Sequence, residues 1–167
     1  MCLTKNYGET MNKLFMPELV KIIEKFENKN ACLHYMADLL SESGCLSFPD
    51  RFLAAVKGRE EIMSTGIGRG IAIPHARDLT VSSLKIAVCM IKQGLDFTSV
   101  DNLPVNLVFM IAVPQSSNQD YMKILRSLSG FLRRDENRES LLQATDERDL
   151  YEKVQVLEEE LRPQLGV

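Results

Sequence analysis

Apolar residues recur along the first third of this chain at spacings that predict helices. Over residues 11–28, Leu14, Phe15, Leu19, Ile22, Ile23 and Phe26 fall at helical intervals. A second helix is predicted from an Asn30 cap through about Glu42, burying Leu33, Met36, Leu39 and Leu40, with Gly44 just past its end. Ser47-Phe48-Pro49-Asp50 resembles a capping box with a proline in the first turn, and it opens a third helix over FLAAVKGREEI. The pattern then changes to apolar runs at Ile71–Ile73, Leu84–Ile91 and Val105–Val113. The last two are nearly unbroken, as expected for strands covered on both faces. Pro114 closes the third run, because it has no N–H for a ladder. Helical spacing returns over 119–133, where Tyr121, Ile124, Leu125, Leu128, Phe131 and Leu132 share a face, and again over 136–144 and 147–160. Helices on both sides of a buried sheet make one α/β domain. The expected limits are an extension over 1–10, the domain over 11–162 and a loose tail over 163–167.

Composition narrows the setting. The 167 residues are 45% hydrophobic and 26% charged, with a formal net charge of −3 and a pI near 5.5. Nucleic-acid binders usually carry a basic stripe, so no nucleic-acid partner is expected. No apolar run approaches the ~20 residues that cross a bilayer, and MCLTKNYGET lacks a signal peptide's apolar core; no membrane insertion and a cytoplasmic location are expected. Cys2, Cys32, Cys45 and Cys89 form no CxxC pair and read as reduced thiols, Cys89 within the core run KIAVCMI. With only His34 and His75 to add to them, no metal site is expected, and no cofactor. His34 stands one helical turn before Asp38, where an exposed i,i+4 pair accounts for it.

Chemistry concentrates in the run from Arg59 to Arg77, REEIMSTGIGRGIAIPHAR. Its GIGRG precedes a strand, whereas the dinucleotide fingerprint follows a strand and opens a helix, and the Gly-Lys-Ser/Thr ending of a P-loop is missing. The glycines suit a tight connection, and their amides can also turn toward an anion. His75 follows Pro74 at the end of the apolar stretch Ile71–Ile73. An isolated histidine there more often caps a strand; the whole string carries the sharper reading. Neutral imidazole is abundant at neutral pH and can attack a phosphoryl donor. Arg59 and Arg77 are candidate cations for the phosphoryl charge.

Arg59-Glu60, Ser64-Thr65-Gly66-Ile67-Gly68 and Gly70-Ile71-Ala72-Ile73-Pro74-His75 closely resemble enzyme IIA of the bacterial phosphotransferase system, in its fructose/mannitol class with the nitrogen-regulatory branch. The likeness continues through Gly94-Leu95-Asp96-Phe97, Val105–Phe109 and Ile111-Ala112-Val113-Pro114, covering roughly residues 14–160. It implies a mixed, roughly five-stranded sheet flanked by helices. It implies that His75 accepts phosphate from the phosphocarrier protein HPr or its nitrogen-branch relative, with Arg59 beside it. Ser64, Thr65, Gly66, Gly68, Gly70 and Tyr121 become the expected surroundings of phosphate or partner. The phosphate passes to an enzyme IIB or serves as a signal. The other class in play is a regulatory interaction module of the same fold, with weak or no transfer. Tyr121 stands where the family commonly has a second histidine; its hydroxyl can donate a hydrogen bond but carries no positive charge at neutral pH.

Overall fold

The computed structural model describes residues 13–117 and 120–165. The expected extension over 1–10, the beginning of the predicted first helix, Cys2, Asn118, Gln119 and the last two residues lie outside that description.

The chain alternates as expected, except at its start. The helix predicted over 11–28 is replaced by a 3-10 turn, Pro17–Leu19, and a strand, β1, Val20–Ile23. Pro17 supplies no donor in the middle of the predicted helix, and β-branched Val20, Ile22 and Ile23 suit a strand. α1 follows at Lys29–Glu42. Its cap is Asn28 rather than Asn30: the Asn28 carboxamide accepts from the Ala31 amide at 2.9 Å. α2, Pro49–Ile62, begins without a side-chain cap. The predicted capping box does not form, because the Ser47 hydroxyl donates instead to the Thr80 carbonyl at 3.1 Å.

Five strands precede the next helix: β2, Gly66–Gly68; β3, Ile71–Ala72; β4, His75–Asp78; the long β5, Lys85–Leu95; and β6, Val105–Pro114. α3, Asp120–Arg133, α4, Asp135–Leu142, and α5, Glu147–Leu161, complete the chain. A 3-10 turn, Arg162–Leu165, occupies the start of the expected loose tail.

β5 and β6 form an antiparallel hairpin at the centre of a mixed sheet. β1 adds to β5 in parallel, giving the order β1-β5-β6-β3-β2. β3 and β4 both pair with β6 in parallel, at Leu107–Val108 and Ile111–Pro114. They are two pieces of one sheet position, interrupted at Ile73-Pro74. Six strand segments therefore fill five positions, which reconciles the roughly five-stranded expectation with the count.

Side chains alternate between two cores, as β geometry requires. Ala87, Cys89, Val108, Met110 and Ala112 face the layer built by α1 and α2. Ile86, Val88, Leu107, Phe109, Ile111 and Val113 face the layer of α3 and α5. Both faces of β5 and β6 are covered, so their sequences read as continuous apolar runs. Cys32, Cys45 and Cys89 are buried free thiols, the first pushed up to about 12 by burial. His34 pairs with Asp38 at 3.6 Å on the exposed side of α1.

Candidate functional site

His75 begins β4 at the break in the sheet, immediately after Pro74. Its register partner is Ile111, which places the ring on the sheet face covered by α3 and α5. Tyr121, in the first turn of α3, packs on that same apolar layer. The aromatic character expected of Tyr121 is thus used in packing, on the face where His75 lies.

The half-buried His75 ring is oriented by one bond. Nδ1 lies 2.9 Å from the Ile73 carbonyl oxygen. A carbonyl only accepts, so Nδ1 carries the hydrogen and the lone pair of the neutral ring resides on Nε2. Burial holds the imidazole below its usual pKa near 6.5; the Ile73 bond opposes that shift, the Arg59 charge adds to it and Glu60 opposes it. The neutral, nucleophilic form therefore persists below pH 6.5.

That direction yields a pH dependence. In the folded protein His75 binds its proton at lower pH than in the unfolded chain. Neutral ring, and with it any phosphoryl acceptance, is lost only as pH falls through the lowered folded value. Stability linked to this group likewise falls with pH between the unfolded value and the folded one. In single-turnover reactions with a pre-phosphorylated donor, we expect the acid limb of acceptance to have its midpoint below 6.5. A midpoint at or above that value contradicts the assigned environment.

Arg59 lies in the last turn of α2, where its Nη1 donates to the Met63 carbonyl at 2.8 Å. A guanidinium has five N–H donors, so this bond fixes the group and leaves capacity for an anion. Arg77, the other candidate cation, is directed elsewhere. Its Nε and Nη2 both donate to the Gln115 carbonyl, at 3.0 and 2.6 Å, tying β4 to the turn after β6.

The glycine run forms a hairpin of β2 and β3. Gly66 is held by proximity: a Cβ there would stand 2.9 Å from the Ser99 Cα. Gly68 and Gly70 have φ of 92° and 78°, as a tight turn requires. The amides of this loop that were expected to suit an anion are in part already bonded. The Gly66 amide donates to the Ser64 hydroxyl at 3.1 Å, and the Arg69 amide to the Asp101 carboxylate at 2.8 Å. Ser64 donates to the Phe97 carbonyl at 2.6 Å, and the buried Thr65 donates its hydroxyl to Glu60.

Glu60 is the residue that sequence reasoning left without a role, although it adjoins Arg59 in the quoted motif. It is 9% exposed. Its carboxylate accepts the Thr65 amide at 3.2 and 3.1 Å and faces the Lys29 ammonium at 2.7 Å. Lys29 also donates to the Phe97 carbonyl at 3.2 Å, with Nζ 4.5 Å from the Phe97 ring centre. No pattern in the sequence joins Lys29 to the glycine loop; only the packing of α1 against α2 does.

Comparison with known proteins agrees with this α/β fold. Residues 13–156 match the family model described as "Phosphoenolpyruvate-dependent sugar phosphotransferase system, EIIA 2", and the chain belongs to that family. It is 36% identical over 127 residues to the fructose-specific EIIA component of Haloferax volcanii, covering 76% of this chain and 82% of that protein. It is also 36% identical over 137 residues to the fructose-specific EIIABC component of Bacillus subtilis, where it covers 82% of this chain but spans only 22% of the larger protein. Among solved structures, the fold resembles nitrogen regulatory protein IIA-Ntr from Neisseria meningitidis, with TM-score 0.78, 24% identity, and coverage of 84% and 96% of the two chains. It also resembles enzyme IIA-mannitol of Escherichia coli, solved in complex with phosphorylated enzyme IIB-mannitol (TM-score 0.71, 21% identity, 85% and 99% coverage). The expected membership of the fructose/mannitol and nitrogen-regulatory class is thereby shown. Among the described residues, no helix is long and apolar enough to cross a membrane.

Proposed function

We propose that the protein is a phosphocarrier in which His75 Nε2 accepts a phosphoryl group from HPr or its nitrogen-branch relative and passes it to an enzyme IIB or a regulatory target. The Nδ1–Ile73 bond carries this reading, because it fixes the tautomer whose Nε2 is nucleophilic. In the acceptance step the Nε2 lone pair forms a bond to phosphorus while phosphorus separates from the donor. The donor retains the bonding electron pair. The product ring keeps hydrogen on Nδ1 and becomes cationic, a form that the Ile73 carbonyl favours. Arg59 supplies charge to the phosphoryl oxygens.

Protein partners also suit the surface. Ile62 and Met63 at the end of α2, Ile67 in the glycine hairpin, and Val100 and Leu103 in the loop after β5 are exposed apolar residues. Val100 is tied to the hairpin by its amide bond to the Gly66 carbonyl at 3.1 Å. Such apolar surface near a transfer group fits transient docking of a carrier protein.

A regulatory module with weak transfer remains the second reading, favoured by Tyr121 in place of the family's second histidine. Phosphoenolpyruvate, enzyme I and HPr from the same organism separate the two. The carrier acquires an acid-labile, alkali-stable phosphoryl group; absence of label while HPr is labelled leaves only the regulatory reading. For Tyr121→His we expect faster acceptance or a longer-lived phosphoprotein, about tenfold, below the ~100-fold of a fully positioned proton donor because the tyrosine hydroxyl can already donate a hydrogen bond. An unchanged rate and lifetime show that Tyr121 does not limit the chemistry.

A further inference from the structure

The His75 ring is the end of a continuous series of contacts that begins on α1. Lys29 Nζ meets Glu60 Oε2 at 2.7 Å. Glu60 accepts both the amide and the hydroxyl of Thr65. The Thr65 carbonyl accepts the Ile73 amide at 3.0 Å. The Ile73 carbonyl then receives Nδ1–H of His75. The first three links cross between elements: α1 to α2, α2 to the glycine hairpin, and the hairpin to the break between β3 and β4; the last is local to that break.

Stability alone is a weak reason for such a pair. Removing two charges from water costs several kcal/mol, and apolar replacements of buried ion pairs are often neutral or stabilising. The Glu60 side chain is 5% exposed and that of Lys29 23%, so both are largely withdrawn from solvent. What the pair accomplishes is geometric. A carboxylate held by an ammonium accepts from Thr65 at both donors, which fixes Thr65 and, through its carbonyl, the backbone at Ile73.

We propose that Lys29 and Glu60 are positioning residues for His75, holding Thr65 and Ile73 so that the ring keeps hydrogen on Nδ1 and offers Nε2. This inference rests on His75 as phosphoryl acceptor, but it concerns the unphosphorylated ring and is read there. The charges that act on that ring are those of Arg59 and Glu60 from α2; Arg77 shares its strand, Tyr121 its sheet face, and Lys29 acts through Glu60. Arg59, Arg77 and Tyr121 stay unchanged in every variant.

The test is the His75 ring nitrogens followed by long-range 1H–15N correlation across pH, together with the rate of phosphoryl acceptance. The wild type is expected to show the Nδ1–H tautomer. Lys29→Met leaves the Glu60 charge uncompensated, so the His75 midpoint rises, the tautomers mix and acceptance slows about tenfold, the scale of a lost orienting contact. Glu60→Gln removes an anion, so the midpoint falls instead while acceptance again slows. Lys29→Arg restores tautomer, midpoint and rate toward wild type. A merely structural role loosens the site in both variants, moves both midpoints upward toward the free imidazole value and is not read by the sign; that result overturns the proposal. Unchanged tautomer and midpoint in both variants overturn it equally. If Lys29→Met does not fold, the direction of the Glu60→Gln shift and the Lys29→Arg restoration decide. A wild type with the stated ring behaviour and variant shifts, yet no phosphoryl acceptance, supports the positioning and removes the carrier function.

Discussion

His75→Ala is expected to abolish phosphoryl labelling by phosphoenolpyruvate, enzyme I and HPr, while the protein remains folded. The expected loss is complete, because the transfer consists of one P–N bond to a group that alanine lacks. No other described side chain is presented the same way. His34, the other histidine, is on the exposed side of α1 beside Asp38. His75 is only half-buried, at the start of a short strand, so its truncation costs little packing. Circular dichroism should remain that of the wild type, with a stability loss of about 1 kcal/mol, the scale of the single hydrogen bond to Ile73. Residual labelling at the wild-type rate places the acceptor elsewhere.

Phe97→Ala should have the largest effect on stability. Phe97 is fully buried, and its ring lies under the Lys29 ammonium. Deleting a buried phenyl group typically costs about 3–5 kcal/mol through lost transfer energy and a residual cavity. The cation–π contact adds to the loss, by up to about 2 kcal/mol when the cation is desolvated. The damage is local to the site, because the Phe97 carbonyl accepts from both Lys29 and Ser64. A lowered midpoint in urea with an unchanged slope measures the stability change. A loss under about 1 kcal/mol would mean that this loop packs differently from the structure described.

Much of this fold could be read from the chain. β5 and β6 declare themselves because both faces are covered and nearly every residue is apolar. α3 is visible because one face alone meets the core. The first segment misled because its apolar residues serve two layers. Leu19 joins the α1–α2 side and Leu14, Phe15 and Val20 the other, a distribution that imitates helical spacing. β2 and β4 were illegible for a different reason. They are short, and His75-Ala76-Arg77-Asp78 has almost no apolar character; pairing with β6 makes it a strand.

The site divides the same way. His75 was legible as a rare titratable group behind glycines, and Arg59 through family resemblance. Arg77 was named beside Arg59 as a candidate cation, and only the turn at Gln115 shows where its guanidinium goes. Glu60 and Lys29 could not be joined by reading, since their contact depends on two helices meeting. The role of Ile73 was also hidden, because a carbonyl has no signature in a sequence.

His75 Nε2 is expected to form the phosphoryl bond while Nδ1 remains hydrogen-bonded to Ile73. The most direct measurement is NMR of the 15N-histidine-labelled phosphoprotein, reading the 31P–15N coupling at each ring nitrogen. The expected result is coupling to Nε2 of His75 with hydrogen retained on Nδ1. Coupling to Nδ1, or phosphate on any other residue, would contradict it.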